Sequence, residues 1–429
     1  MQLIRNPGIP ILAAALFVAQ CQAAPAHEAA APETVRVAFI DPLSGPFANA
    51  GESSLRHLRA AFDDINARTG GPAYRFELVA LDGKGQVQES LAQLRFAADR
   101  GIRYVVQGQS SAVALALSEA IGKHNGREPE SPMLLLNYAA IDPDLTNARC
   151  SFWHFRFDAS SDMRIEALGR MIERDRSVSR VFIIGQNYSF GQQVSRAAKE
   201  MLARRRPDVR IVGDELHPLG QVKDFSPYVA KIKAAGADTV ITGNWGNDMT
   251  LLIKAAKDAG LNANFYTYYA GGLGTPTAMG EAAVGKVKQI TEWHSNVQPN
   301  KTDKFAAEFK KKYGIDFYYL RVNTEMYMLA EAIKDAKSID PLKVALKLEG
   351  MKWMSDTGEV EMRAKDHQLL NPLYISTIVR AGVKAGKPQP GGDKTVRYDA
   401  EDSGYGFKTD ARIESYVAAQ PTSCQMKRP

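Results

Sequence analysis

The stretch YVVQGQSSAVALA, residues 104–116, carries the clearest signature of the fold. It begins with a short apolar run, passes through a glycine and two serines, and continues as an apolar segment. This order predicts a buried strand, a tight turn and a helix that begins at Ser110 or Ser111. A helix start presents unpaired N–H groups and the positive end of the helix dipole, so two hydroxyls there favour a small anion. The alternative is that Ser110 only caps the helix.

Strand and helix patterns alternate along most of the chain, in two series. This predicts an α/β protein with two doubly wound lobes, each a parallel sheet covered on both faces. The predicted strands are 35–40, 75–80, 104–106 and 133–136 in the first series, then 180–184, 210–216, 239–242 and 264–268, with a late strand at 372–379. The main helices are predicted near 53–67, 88–99, 110–123, 161–174, 227–235, 249–259, 301–313 and 321–336.

Polar and aromatic residues follow the carboxyl ends of several predicted strands. In open α/β sheets ligands bind at that edge, so two lobes that face each other would enclose a cleft. Hydroxyls and backbone N–H groups come from lobe one and rings from lobe two, which suits a small ligand with an anionic end and an apolar body. The candidate ligand-binding residues are Ser110, Ser111, Ala112, Asn137, Ala139, Ala140, Tyr188, Phe190, Trp245 and Tyr269.

Residues 1–26 have the pattern of a signal peptide rather than of a folded element. An apolar run at 11–19 is too short to span a bilayer, and small residues follow it. Cleavage is predicted between Ala23 and Ala26, and lipidation of Cys21 is the alternative. No later stretch is apolar enough to span a membrane, so we expect a soluble, exported, periplasmic protein.

Charge and cysteine content exclude some classes of function. The chain has 429 residues and a net charge of +6 with acids and bases interspersed, so no nucleic-acid partner is expected. No CxxC or HExxH motif occurs, so no metal or cofactor is expected. Cys150 and Cys424 remain in the mature chain and are predicted to form a disulfide in an oxidising compartment, with two independent buried thiols as the alternative.

Several segments, in order, resemble type I periplasmic binding proteins, and most closely the leucine–isoleucine–valine-binding proteins of ABC importers. They are SGPFANAG, YVVQGQSS, NYAAIDPDLTN, NYSFG and KDFSPYVAKIKAAGADTV. The resemblance implies two lobes joined by three crossings, near residues 154–158, 292–296 and 358–370. Lobe one is then 34–155 plus 297–356, lobe two is 156–293 plus 370–385, and 386–429 is a polar tail. It also implies a monomer that delivers a solute to a membrane permease and its ATPase subunits.

The resemblance further implies roles for individual residues. Ser111 and the backbone from Ser110 to Ala112 would grip a ligand carboxylate. Ala139 and Ala140 would make backbone contacts, while Phe190 and Trp245 would cover the ligand.

The chain departs from the family pattern at two positions. Ile141 replaces a threonine, and Tyr269 replaces the carboxylate that holds the ammonium of an amino acid. A buried ammonium without a counter-charge is costly, although the Tyr269 and Trp245 rings can attract a cation. The solute is therefore either like a branched-chain amino acid, or an aromatic or short-chain acid, or an amide.

Two rival functions use the same residues. The segment 108–112, GQSSA, follows a strand and opens a helix, as the nucleophile elbow of a serine hydrolase does. Its last residue is Ala112 instead of glycine, and no histidine has a signature position, so we predict no enzyme. The other rival is a sensor that hands its ligand-bound form to a membrane receptor.

Overall fold

The computed structural model describes residues 2–3, 8, 32–68, 74–299 and 301–429. The apolar run of the predicted signal peptide, its cleavage site and Cys21 lie outside the described residues. Within the described ranges, no helix combines the length and apolar character that a membrane span requires.

The strands and helices follow the alternation that the sequence predicts. The strands are β1 (Glu33–Asp41), β2 (Tyr74–Asp82), β3 (Tyr104–Gln107), β4 (Leu134–Asn137), β5 (His154–Arg156), β6 (Arg180–Gln186), β7 (Arg210–His217), β8 (Thr239–Thr242), β9 (Asn264–Thr267), β10 (Val287–Thr291), β11 (Lys352–Ser355), β12 (Gly358–Arg363), β13 (Gln368–Leu370), β14 (Leu373–Arg380), β15 (Val383–Lys384), β16 (Lys387–Pro388) and β17 (Tyr405–Ile413). The α-helices are α1 (Ala48–Ala67), α2 (Val87–Asp99), α3 (Ser111–Arg127), α4 (Ser161–Ile172), α5 (Ser189–Arg205), α6 (Ser226–Ala234), α7 (Gly246–Asp258), α8 (Thr275–Met279), α9 (Asp303–Tyr313), α10 (Leu320–Ala336), α11 (Pro341–Leu348) and α12 (Ser415–Ala418).

Two large sheets define the two lobes, and the predicted α/β fold class is confirmed. The lobe-one sheet has the strand order β11-β12-β13-β5-β4-β3-β1-β2, and β1 to β5 are parallel. The lobe-two sheet has the order β17-β14-β10-β9-β8-β6-β7, and β6 to β10 are parallel. The added strands β14 and β17 run antiparallel to their neighbours.

Each sheet is covered by helices on both faces, as parallel strands buried on two sides require. In lobe one, α10 places Val322, Met326 and Leu329 against one face together with α1. Helix α3 places Val113 and Leu117 against the opposite face. In lobe two, one core contains residues of α4 and α5 and the other contains residues of α6 and α7.

Three chain crossings join the lobes. The first follows β5 and precedes α4, the second follows β10 and precedes α9, and the third is the short link at 371–372 between β13 and β14. The third crossing therefore lies just after the predicted segment 358–370, because β12 and β13 add to the lobe-one sheet instead of forming a link.

The C-terminal region differs from the predicted polar tail. Its strand β17, with the alternating sequence YGFKTDARI, pairs with β14 along its whole length and completes the lobe-two sheet. Beyond α12 the chain returns to lobe one, where Cys424 forms the predicted disulfide with Cys150. Thr422 and Ser423 bond to the loop at 146–147 of lobe one. The end of the chain is thus a further connection between the lobes, closed by a covalent bond.

Candidate functional site

A cavity of about 610 Å³ lies between the lobes. Its walls include the carboxyl edges of β3 and β4 in lobe one and of β6, β8 and β9 in lobe two. Seven of the ten candidate residues line it, and these are Ser111, Ala139, Ala140, Tyr188, Phe190, Trp245 and Tyr269. The structure therefore brings candidates from two distant parts of the sequence into one hollow.

The strand–turn–helix at β3 and α3 places a helix N-terminus at the cavity. Ser110 is the N-cap, and its Oγ accepts a hydrogen bond from Val113 N at 3.4 Å. Ser111 is the first helical residue and lines the cavity, while its Oγ accepts from Asp142 N at 3.2 Å. Among the described residues, no hydrogen bond engages the backbone N–H groups of Ser111 and Ala112. Ser111 thus offers the hydroxyl, and the first turn offers the dipole and the N–H groups.

A buried carboxylate holds the turn in place from below. Asp41, at the end of β1, accepts hydrogen bonds from Gly108 N and Gln109 N, both at 3.0 Å, and from Gln107 Nε2 at 3.0 Å. Tyr138 Oη also donates to it at 2.6 Å. The N–H groups of the turn itself are therefore already used. Burial raises the pKa of Asp41 to about 7, against these four hydrogen bonds, which lower it.

The paired alanines after β4 are also held by a buried polar side chain. Asn137 Oδ1 accepts from Ala139 N at 3.1 Å and from Ala140 N at 2.7 Å, and its Nδ2 donates to Ala140 O at 2.9 Å. Asn137 itself is fully buried. It acts as an internal brace for the loop, and the alanines present small surfaces to the cavity.

The lobe-two rim consists of aromatic rings at the starts of helices. Tyr188 precedes α5, Trp245 precedes α7, and Trp245 Nε1 donates to Tyr188 Oη at 2.9 Å. The Phe190 ring lies 5.8 Å from Tyr188 and 6.4 Å from Tyr269, centroid to centroid. Burial raises the pKa of Tyr188 well above its usual value, so its phenol is neutral.

The lobes are in contact at this rim, so the structure is that of a closed cleft. Phe47 of lobe one packs on Trp245 with ring centroids 4.3 Å apart. Asn247 Nδ2 donates to Pro46 O at 3.0 Å, and Asn49 Nδ2 donates to Asn247 Oδ1 at 3.3 Å. The sequence did not single out Phe47, because it lies in a turn before a helix instead of after a strand.

A cluster of four buried charges forms the hinge end of the site. Asp158 and Glu292 lie on the first and second crossings. Arg164 of lobe two donates to Asp158 Oδ1 at 2.6 Å, and Arg321 of lobe one donates to Glu292 Oε1 at 2.7 Å. Burial opposes the charge of Arg321, but the two carboxylates outweigh it and raise its pKa.

This cluster bears directly on the Tyr269 position. The Arg164 guanidinium lies 5.4 Å from the Tyr269 ring centroid, within cation–π range. The positive charge near that ring is therefore supplied by the protein itself. The carboxylates of the cluster, Asp158 and Glu292, are in turn occupied by arginines.

The C-terminal segment forms part of the cavity wall and touches both lobes. Glu401 accepts from Gly274 N of lobe two at 2.6 Å, and its own N–H donates to Asp316 of lobe one at 2.6 Å. Asp402 pairs with Lys310 of α9 at 2.7 Å. Sequence reasoning missed this segment because its Gly/Pro-rich composition is that of a loop.

Further residues that line the cavity were also missed as ligand contacts. They include Tyr319, Gln289, Trp293 and Arg321, none of which the sequence analysis predicts as a ligand contact. The other candidates were identified because they follow the carboxyl ends of predicted strands. These residues follow no predicted strand end, so that criterion does not identify them. They line the cavity between the hinge and the rims.

The chemistry of the serines does not match an elbow nucleophile. Among the hydrogen bonds of the described residues, none joins Ser110 or Ser111 to a histidine. In the same part of the chain, no group of histidine, cysteine and carboxylate side chains is arranged to hold a metal ion.

Comparison with known proteins agrees with this architecture. Residues 34–386 match the periplasmic binding protein family. The Leu/Ile/Val-binding protein homolog 4 of Brucella abortus (strain 2308) is 31% identical over 415 residues, which cover 93% of this chain and 94% of the relative.

Solved structures show the same fold. The leucine-, isoleucine-, valine-, threonine- and alanine-binding protein from Brucella ovis, in a closed conformation, has 30% identity and a TM-score of 0.80, and the match covers 92% of this chain and all of that one. An ABC transporter solute-binding protein from Rhodopseudomonas palustris BisB5, in complex with 3,4-dihydroxybenzoic acid, has 18% identity and a TM-score of 0.74, with 89% and 98% of the chains covered. At that identity the likeness concerns the fold alone.

Proposed function

The chain belongs to the periplasmic binding protein family, and from that premise we propose that it is the solute-binding component of an ABC importer. It is exported to the periplasm, binds a small solute that bears a carboxylate, and presents its closed form to a membrane permease and ATPase subunits. The observation that carries the proposal is the enclosed cavity between a helix N-terminus in lobe one and a rim of rings in lobe two.

We place the solute carboxylate at the start of α3. The Ser111 hydroxyl and the first-turn N–H groups face an anion there, and the α3 dipole favours it. The apolar body of the solute then lies against Trp245 and Phe190. Contacts to both lobes are made only in the closed form, so binding shifts the population toward closure.

We further propose that the solute lacks an ammonium group. Two carboxylates at the hinge end, Asp158 and Glu292, are paired with arginines. The acids that line the outer part of the cavity also have partners: Asp316 and Asp402 pair with Lys310, Asp303 accepts from Tyr398 Oη, and Asp399 accepts from the backbone N–H groups of Ala385 and Gly404. A buried ammonium would therefore have to share a carboxylate that is already paired or hydrogen-bonded within the protein, which is costly. Aromatic and short-chain acids fit this environment better than leucine does.

A thermal-shift screen tests the solute class. The panel contains branched-chain amino acids, benzoates, short-chain acids, dicarboxylates and amides, because a bound ligand raises the melting temperature by mass action. We expect a shift with ammonium-free carboxylates. A shift with leucine-like amino acids alone would contradict the proposal.

Ser111→Ala tests the position of the carboxylate. Loss of one hydrogen bond to a charged group should weaken binding of the best carboxylate by about 2 kcal/mol, measured by calorimetry. Ser131→Ala, just beyond the other end of α3, is the matched control and should leave the affinity unchanged. Equal affinity of the Ser111 variant and the wild type would remove Ser111 from the site.

A further inference from the structure

The side chain of Gln289 is a buried amide that faces the cavity without a partner. Gln289 lies in the middle of β10, whose backbone pairs with β9 and β14. Its side chain lines the cavity and the residue is only 4% exposed. Among the hydrogen bonds of the described residues, none involves its amide nitrogen or oxygen. The amide is therefore open to the cavity, where a group of the solute or a water molecule can hydrogen-bond to it.

The neighbouring loop lies close against one side of this amide. A Cβ atom at Gly271 would collide with Gln289 Oε1, and one at Gly272 would lie 3.1 Å from the Tyr318 ring of lobe one. Glycine at both positions after β9 therefore lets the loop backbone pass close to the amide, while Gln289 still lines the cavity. A side chain at either position would fill this part of the cavity.

Trp293 provides a second polar group on the same side of the chain. Residues 289, 291 and 293 alternate along β10 and its extension, and all three line the cavity. Trp293 is 3% exposed and its ring packs on Phe317 at 5.4 Å. Within the described part of the chain its indole N–H has no hydrogen-bond acceptor. Thr291 differs, because its hydroxyl already donates to Glu292.

We propose that Gln289 and Trp293 form a second polar subsite that binds an uncharged hydroxyl or carboxamide on the solute. The amide both donates and accepts, and the indole only donates, so the pair matches a group with both capacities. A charged group fits less well, because the nearby Arg321 is already paired with Glu292 at 2.7 Å. The subsite rests on the proposed function, since the same solute places its carboxylate at Ser111 of the opposite lobe.

Matched ligands test the subsite. Calorimetry compares 4-methylbenzoate with 4-hydroxybenzoate and 4-carbamoylbenzoate, and hexanoate with 6-hydroxyhexanoate, so that only the distal group changes within each series. In at least one series the wild type should bind the polar member about tenfold more tightly than its apolar counterpart, as one well-made hydrogen bond allows.

The variant Gln289→Met keeps the length of the side chain and removes the amide. It should reduce that preference to about twofold or less, whatever its effect on the affinity for the apolar member. Trp293→Phe, which keeps a ring and removes the N–H donor, should also lower the preference for the polar member. Gln88→Leu, on the exposed face of α2, is the control and should retain the full preference.

The outcomes separate the two proposals. If the ligands bind and the polar preference survives in both Gln289→Met and Trp293→Phe, or is absent from the wild type, the subsite is wrong and the carboxylate proposal stands. If no member of either series binds, the carboxylate class falls and the subsite falls with it. The subsite is supported if the preference is lost in Gln289→Met or in Trp293→Phe and is retained in Gln88→Leu.

Discussion

The two rims of the cavity are built in opposite ways. The lobe-one rim is small and polar, and buried side chains hold it from below: Asp41 braces the turn before α3, and Asn137 braces the loop after β4. The lobe-two rim is made of large rings that hold one another, as in the pair Trp245 and Tyr188. Damage to the buried braces of lobe one should therefore appear first as lost stability, and damage to the rings of lobe two as lost affinity.

The largest effect is expected from Asp41→Ala, beneath the lobe-one rim. It leaves the two turn N–H groups, Gln107 Nε2 and Tyr138 Oη without their acceptor. The free energy of unfolding should fall by about 4 kcal/mol, since several buried donors lose their partner. Urea unfolding measures the loss, with Asp335→Ala at an exposed position of α10 as the control. A loss below about 1 kcal/mol would show that the brace is unimportant.

Trp245→Ala is the corresponding change in the lobe-two rim. Binding should weaken by about 2 kcal/mol, or roughly 30-fold, as for a buried aromatic anchor. Calorimetry with the best ligand from the screen measures it. Trp353→Ala, on the edge strand β11, is the control. Unchanged affinity in the Trp245 variant would take this ring out of the site and contradict the contrast between the rims.

A smaller effect concerns pH and the interior of lobe one. Glu325 of α10 is fully buried, and neither carboxylate oxygen has a partner among the described residues. Burial and the nearby Asp41 raise the pKa of Glu325 well above its usual value. The folded state therefore retains a proton that the unfolded state has lost. The stabilisation from this group is greatest at low pH and falls as the pH rises from the unfolded-state pKa of Glu325 towards its folded-state pKa.

The window from pH 8 to 9 isolates this group, because Asp41, with a pKa raised to about 7, has already lost its proton there. The buried His57 and His294, each with a pKa lowered to about 3 by burial, do not titrate there either. Their unfolded forms gain protons only below about pH 6.5. The wild type should lose about 1 kcal/mol of stability per pH unit, and Glu325→Gln should lose much less. Urea unfolding at several pH values compares the two. Parallel slopes would mean that Glu325 is ionised in the folded protein.

The same contrast explains what the sequence could predict. The alternation of strands and helices and the rule that ligand residues follow strand ends located both rims, because these signals are local. They did not reveal which polar side chain faces the cavity and which one instead hydrogen-bonds to the backbone of the surrounding loops. Ser110 and Asn137 satisfy the strand-end rule as well as Ser111 does, yet their side chains serve the backbone.

Other features depend on contacts between distant segments. Arg321 and Phe47 reach the site only because α10 and the start of α1 return to the cleft, which no local pattern reports. Strand β17 shows the reverse case: its alternation was visible, but the surrounding glycine and proline residues favoured a loop. The cysteine count did predict a contact between segments, because the compartment limits what two cysteines do.

The disulfide has a consequence for any experiment on this protein. Strand β17 belongs to lobe two, and Cys424, a few residues later, is fastened to Cys150 of lobe one. The disulfide thus ties the end of lobe two covalently to lobe one. Protein made in a reducing cytoplasm, or kept in a thiol-containing buffer, would lack this disulfide. Its two lobes would then be less restrained relative to each other. Its ligand affinity would then differ from that of the protein with the disulfide intact.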